Sequence, residues 1–187
     1  MRLSFEISFT DLRLFLKYWA SRYDDGPDKT LYDPHIGKTD ETALLELYKW
    51  KNGGNIAQHK LETIYRNYLN QWTDDAGLEA RYLDPNQGNG PIWNIFYLHC
   101  RHPEKYPIYD QHAHRSMIYM QEQIICDEKG DLVDTKAADV YQSYKRYRGF
   151  VRHIRDATGA NLRTIDRALF TFGQFLKLAR PYCVAKE

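Results

Sequence analysis

The stretch GNGPIWNIFYLHCRHPEKYPIYDQHAHR, residues 88–115, is the part of the sequence from which the fold is best predicted. It opens with a glycine turn, Gly88-Asn89-Gly90, and continues into an apolar segment that starts at Pro91. The glycines allow positive φ and close backbone approach, and proline suits the first turn of a helix, where no N–H is needed. A second helix is predicted from Gln111, because Pro107 disfavours helix before it. The stretch therefore predicts a turn, a helix, a short connection and another helix.

Apolar residues recur at three- and four-residue steps through most of the remaining chain, as they do on one face of a helix. This spacing predicts helices over about 9–22, 40–51, 56–72, 75–83, 91–101, 111–126, 136–157 and 161–179. The charged segment Asp24–Lys38 breaks the pattern with prolines and glycines, and we interpret it as a linker. Asp127–Asp131 is a polar turn that could join two short strands or two helices. The chain is thus predicted to be all-α.

Composition limits the classes of protein that the chain could belong to. With 187 residues and 43% apolar content it can bury a real core, as one compact domain or two small lobes. A net charge of +1 gives no global basic signature, so nucleic-acid binding would need a local patch. The three cysteines are too scattered for a disulfide framework or a zinc site, which favours a reducing compartment. We expect a soluble, cytoplasmic protein without membrane contact, because residues 1–10 fit neither a signal nor a transit peptide.

Asp110 is the residue most suggestive of chemistry. Since helix is disfavoured by Pro107 and predicted from Gln111, Asp110 is expected at the N-cap, where backbone amides would hold its carboxylate and keep it ionised. The alternative is that Asp110 is only a cap. His114 lies four residues further on, over the same face of the predicted helix, whereas His112 points away from it.

A G-x-G turn, a helix, a short loop and an aspartate followed by His and Arg resemble the helix-hairpin-helix DNA glycosylases, with an 8-oxoguanine-glycosylase and endonuclease-III-like core. In this chain the matching positions are Gly88, Gly90, Asp110, His112 and Arg115. The resemblance implies a glycosylase-like bundle of two small helical lobes with the active-site cleft between them. It implies one such domain over residues 1–187, with the helix-hairpin-helix at about 78–101 and the catalytic loop and helix at about 106–126.

The resemblance also implies roles for these residues. Asp110 would stabilise the positive charge that develops on the sugar of a flipped nucleotide and orient the attacking water. Gly88, Asn89 and Gly90 would hold a DNA phosphate. His112 would be a structural support, and Arg115 would contact a phosphate or brace the helix against a neighbouring acid.

Two departures from the family pattern bear on the reaction. Bifunctional members carry a lysine where this chain has Ile92, so a Schiff base is not expected there. A lysine from elsewhere, such as Lys51 or Lys60, remains an alternative. Members with an iron–sulfur cluster need four C-terminal cysteines, and only Cys183 is present, so no cofactor is expected. No metal is expected either, because no third ligand accompanies the two histidines of the 99–102 segment.

One local basic segment lies at residues 144–155, where cations alternate with aromatic residues. This composition suits contact with a nucleic-acid backbone. The candidate phosphate contacts are Lys145, Arg146, Arg148 and Arg152. The candidate base-pocket residues are Trp50, Trp93, Tyr109, His114 and Phe172, for each of which core packing is the alternative.

The sequence therefore predicts a monomeric, monofunctional DNA glycosylase that acts on duplex DNA and leaves an abasic site. Its base would be damaged or modified, in repair or in defence against phage DNA, and the sequence does not identify it. Two alternatives stay open: a non-catalytic helix-hairpin-helix module that binds DNA or a partner, and a helical interaction protein without nucleic-acid function.

Overall fold

The computed structural model of the protein describes residues 11–38, 40–69, 77–85, 90–125 and 139–183. The α-helices are α1 (Leu12–Ala20), α2 (Glu41–Lys51), α3 (Gln58–Ile64), α4 (Leu78–Tyr82), α5 (Pro91–Arg101), α6 (Gln111–Glu122), α7 (Val140–Thr158) and α8 (Leu162–Cys183). Two π-helical segments occur at Asp28–Tyr32 and Tyr65–Leu69. No strand occurs within the described ranges, so the predicted all-α class is confirmed for them.

The chain divides into two compact units. The continuous unit, residues 24–106, contains α2 to α5. The discontinuous unit contains α1 together with α6, α7 and α8, so the chain leaves this unit after Tyr23 and returns to it at Pro107. Asp110 consequently lies in the discontinuous unit and Gly90 in the continuous one.

Tyrosines are prominent in the core of the continuous unit. The ring centroids of Tyr68 lie 5.2 Å from those of both Tyr48 and Tyr97, and Tyr82 lies 4.6 Å from Tyr97. Buried phenols need hydrogen-bond partners, and the Tyr68 hydroxyl donates to the Asn94 side-chain oxygen at 2.7 Å. Burial raises the pKa of Tyr82 to about 12, so its hydroxyl keeps its proton.

The segment interpreted as a linker is only partly one. Asp28 begins a π-helical turn, is fully buried, and accepts a hydrogen bond from Nε1 of Trp50 at 2.8 Å. Tyr32, at the end of the same turn, donates to Nε2 of His99 (2.6 Å), whose Nδ1 donates to a backbone carbonyl (2.7 Å). A carbonyl only accepts, which assigns these donor roles. The partners are distant in sequence, so local pattern could not predict this ordered turn.

In the discontinuous unit, α6 is buried over an unusually long stretch. Every residue from Ala113 to Tyr119 is buried, including polar ones. Phe15 and Trp19 of α1 pack against Phe172 of α8, each with ring centroids 5.1 Å from it. A helix that is buried on several sides belongs to the core of its unit. The start of α6 is therefore anchored in a packed interior.

The ends of α6 and α7 have local causes. Gln123 adopts the left-handed region (φ 58°) and ends α6 at Glu122, earlier than the predicted residue 126. Gly159 (φ 71°) ends α7, at the break predicted for Thr158-Gly159. The polar turn at Asp127–Asp131 lies outside the described residues.

Within the described part of the chain, no helix combines the length and the apolar character that crossing a bilayer would require.

Candidate functional site

Asp110 caps α6, as predicted. Its backbone is extended (φ −153°), and its Oδ1 accepts from the amides of His112 (2.8 Å) and Ala113 (3.0 Å). Both bonds end on the same oxygen, so capping uses one of the two carboxylate oxygens. The side chain is half-buried. The cap thus fixes the orientation of the carboxylate at the start of α6.

Tyr109 and His114 lie together directly behind Asp110. A hydrogen bond of 2.8 Å joins the Tyr109 hydroxyl to Nδ1 of His114, and the Tyr109 ring lies 5.5 Å from Tyr144 and 5.1 Å from Tyr147. Burial, and then the charge of Asp110, raise the pKa of Tyr109 well above its ordinary value. Tyr109 and His114, both predicted as base-pocket residues, are therefore buried side chains of the discontinuous unit.

Arg115 and His112 brace the first turn of α6. The Arg115 guanidinium donates to Nδ1 of His112 (3.0 Å) and to the Gln111 side-chain oxygen (3.1 Å). The His112 ring packs against Phe170 of α8 with centroids 4.9 Å apart. Arg115 is only 4% exposed. These contacts place Arg115 as a brace within the first turn of α6, and its burial leaves little of the side chain exposed for the predicted phosphate contact.

His112 should make the protein less stable in mild acid. Burial, and further the charges of Arg115 and Lys177, lower its pKa from 6.5, although Asp110 opposes them. Below pH 6.5, the unfolded state therefore binds a proton at this histidine more readily than the folded state does. The free energy of unfolding is highest above the ordinary pKa and decreases as the pH falls toward the lower pKa of the folded state. Between about pH 7.5 and about pH 5.5, the wild-type free energy of unfolding should fall more than that of His112→Gln in urea titrations.

The control for this measurement is His153→Gln, which removes an exposed histidine of α7. It should lose as much stability as the wild type over the same pH range, because it retains His112 and the buried contacts around it. An identical pH dependence in His112→Gln and the wild type would contradict the assignment.

The predicted hairpin is only partly described: Gly88 and Asn89 lie outside the described residues. Gly90 is the residue before α5, and its φ of −58° suits any amino acid. Gly90 therefore does not use the positive φ that glycine allows, and a Cβ there would meet only the Trp93 side chain, at 3.9 Å. Pro91 does occupy the first turn, as predicted. The amides of Trp93 and Asn94 donate to the Gly90 carbonyl, so both are engaged in hydrogen bonds at the start of the helix.

Trp50 and Trp93 belong to the aromatic core of the continuous unit. Trp50 lies 4.7 Å from Tyr32 between ring centroids, besides its bond to Asp28. Trp93 stacks on Tyr48 at 5.1 Å. Both are half-buried, and their contacts are those of packing residues.

Phe172 lines a cavity of about 250 Å³ within the discontinuous unit. The lining residues are Asp11, Leu12, Phe15, Tyr119, Met120, Gln123 and Phe172. Met120 lies ten residues after Asp110 in the sequence, which is roughly 15 Å along a helix. The cavity adjoins the end of α6, whereas Asp110 precedes its first turn. Within this cavity, the Phe172 ring packs against Phe15 and Tyr119, at 5.1 and 5.6 Å between centroids.

The basic segment forms a stripe along α7. Lys145, Arg148, Arg152 and Arg155 follow one another at steps of three and four residues, on one helical face. We call these four residues the α7 stripe. Lys145 and Arg152 are exposed, while Arg155 lies 3.8 Å from Asp156. Arg146 points off the stripe and pairs with Glu122 at 2.5 Å, so this predicted phosphate contact is engaged by an acid.

Asp166 and Tyr147 were not predicted as site residues. Asp166 is 6% exposed, and its Oδ2 accepts from the Ile108 amide at 3.5 Å. Burial, and then the charges of Asp166 and Asp110, raise the pKa of Tyr147. The sequence carried one signal for Asp166, since it occupies the apolar face of α8 that includes Ile165 and Leu169.

Among the described residues, no group of three or more His, Cys, Asp or Glu side chains is arranged to hold a metal ion. No protein-family model matches this chain, and neither a curated protein nor a solved structure is significantly similar to it. The likeness to the helix-hairpin-helix glycosylases rests on the residues of the 88–115 stretch.

Proposed function

We propose that this protein is a monofunctional DNA glycosylase that hydrolyses the N-glycosidic bond of a flipped, damaged or modified base. The observation that carries the proposal is the Asp110 carboxylate, which is half-buried and held through one oxygen by two amides at the start of α6. The resemblance of the 88–115 stretch to the glycosylases gives this carboxylate its role.

The chemistry requires a fixed negative charge beside the sugar. As the glycosidic bond breaks, its electron pair leaves with the base and positive charge develops on the sugar. The ionised Asp110 stabilises that charge and orients a water, whose oxygen bonds to the sugar carbon and which gives up a proton as the departing base takes one up, so that water is divided between sugar and base. Hydrogen bonds to the charged form make a carboxylate a weak base. Electrostatic stabilisation is therefore its main contribution.

The product follows from Ile92, which stands where bifunctional relatives carry a lysine. An isoleucine cannot form a Schiff base with the sugar, so covalent strand cleavage is unavailable at this position. The enzyme leaves an abasic site in an unbroken strand. Its setting is repair, or defence against phage DNA that carries modified bases.

The α7 stripe supplies the proposed contact with the DNA backbone. Its cations lie on one face of a 19-residue helix in the same unit as Asp110. Such contacts bind duplex DNA without reading its sequence, through release of counterions from the phosphates.

The double variant Lys145→Gln/Arg152→Gln should weaken DNA binding and reduce its salt dependence. Each lost phosphate contact lowers the slope of log K against log salt by about 0.9, so the double change lowers it by about 1.8. Fluorescence anisotropy with a labelled duplex at several salt concentrations measures this slope. Arg146→Gln is the matched control, because Arg146 is paired with Glu122. An equal slope in wild type and double variant would remove the stripe from the interface.

The function itself is tested by base release from a panel of duplexes. The panel contains uracil, alkylated purines, oxidised guanine and hydroxymethylated or glucosylated cytosine, each assayed with and without alkali. Strand breaks that appear only after alkali, for one substrate, would establish a monofunctional glycosylase and identify its base. Salt-dependent binding without any release would favour a non-catalytic DNA-binding module, and absence of binding a helical interaction protein.

A further inference from the structure

The segment of residues 107–110 precedes α6, has no regular secondary structure, and is held at successive positions. Each contact comes from a different helix: the Tyr144 hydroxyl of α7 donates to the Pro107 carbonyl (3.3 Å), Asp166 of α8 accepts from the Ile108 amide (3.5 Å), and His114 of α6 bonds the Tyr109 hydroxyl (2.8 Å). Outside helices and sheets, no ladder of backbone hydrogen bonds defines the path of a segment, so these side chains define it.

Asp166 is the charged member of this set. It is 6% exposed and stands on the apolar face of α8, where a leucine would pack without the desolvation cost of a carboxylate. A leucine, however, could not accept a hydrogen bond from the buried Ile108 amide. Without an acceptor, that amide would be left unpaired, which is destabilising.

Tyr147 is a buried phenol within electrostatic reach of both carboxylates, Asp166 and Asp110. Its hydroxyl is fully buried and has no hydrogen-bond partner among the described residues. The charges of both Asp166 and Asp110 act on this phenol and, after burial, raise its pKa. The phenol therefore stays protonated beside the segment that carries Asp110.

We propose that Asp166 is a positioning residue for Asp110: by holding the Ile108 amide, it sets the path of the 107–110 segment and thereby the placement of the carboxylate two residues later. The catalytic consequence rests on the proposed glycosylase function. The positioning itself is a property of the fold and can be measured without a substrate.

Two variants separate positioning from a general loss of stability. Asp166→Ala removes the acceptor, and Asp166→Asn keeps an oxygen in the same place. With the substrate found in the panel, Asp166→Ala should lower kcat by about 10- to 100-fold with KM changed by less than about threefold, because a small misplacement of a catalytic group costs rate and not binding. Asp166→Asn should restore kcat to within about fivefold of wild type. An equal fold-decrease of kcat in both variants, or an unchanged kcat in Asp166→Ala, would overturn the proposal.

Amide hydrogen exchange supplies the measurement that needs no activity. In Asp166→Ala, exchange at Ile108 and His112 should accelerate more than at Val151, a buried residue of α7 that reports on overall stability. Equal acceleration at all three amides would overturn the proposal, whether or not the wild type releases a base. If Asp166→Ala does not fold, the amide proton resonance of Ile108 in Asp166→Asn decides. A shift centred on Ile108 supports the contact, and an unshifted resonance rejects it.

Discussion

Replacing Asp110 by asparagine should lower base release by at least about 10²-fold while leaving the fold intact, by analogy with losing one electrostatic stabiliser of a transition state. Asparagine is as good an N-cap as aspartate, since its side-chain oxygen can accept from the same amides of His112 and Ala113. What the variant lacks is the negative charge. Single-turnover release from the panel substrate, with unfolding monitored in parallel, measures both effects.

The chain offers a matched control in Asp139, which caps α7. Its Oδ1 accepts from the amides two and three residues later, at 3.0 and 3.2 Å, in the same pattern as Asp110. Asp139→Asn therefore makes the same chemical change at a second helix start, and release should stay within about twofold of wild type. Activity of Asp110→Asn within a few-fold of wild type would reduce Asp110 to a structural cap and favour the DNA-binding module.

The helices were predictable where their causes are local. Pro91 at the start of α5 and Gly159 at the end of α7 fix boundaries through their own backbone preferences, and the cap at Asp110 follows from its neighbours in sequence. The predicted helix over residues 56–72 is less regular, because its apolar spacing does not distinguish α3 from the π-helical turn at Tyr65–Leu69.

The candidate site was less predictable because its parts meet only on folding. Phe172 was predicted as a pocket residue because it is aromatic. In the structure it packs in the core against Phe15 and Trp19 of the first helix. Arg115 qualified as a phosphate contact by its distance from Asp110, yet it is buried against His112. Residue type states what a side chain can do, and long-range packing decides whether it is presented to a ligand.

Gly173→Ala should destabilise the protein more than a change to alanine at any other described glycine. A Cβ at Gly173 would lie 2.1 Å from the carbonyl oxygen of His112 and 2.6 Å from its carbonyl carbon, both backbone atoms of the first turn of α6. Backbone cannot swing aside as a flexible side chain does, so α8 or the start of α6 must shift. Overpacking costs typically 1–3 kcal/mol and sometimes more, and we expect a loss of about 3 kcal/mol in urea unfolding.

The matched control is Gly149→Ala, the same change at the centre of α7, where a Cβ would meet nothing within 4 Å. It should stabilise the protein by about 0.5–1 kcal/mol, because alanine loses less backbone freedom in a helix than glycine. The two variants should therefore move the free energy of unfolding in opposite directions. Since His112 also donates to the Asp110 carboxylate, a shifted α6 would displace the cap, and Gly173→Ala should lose base release even below its denaturation midpoint. A Gly173→Ala protein within about 0.5 kcal/mol of wild type would show that α8 does not approach α6 this closely.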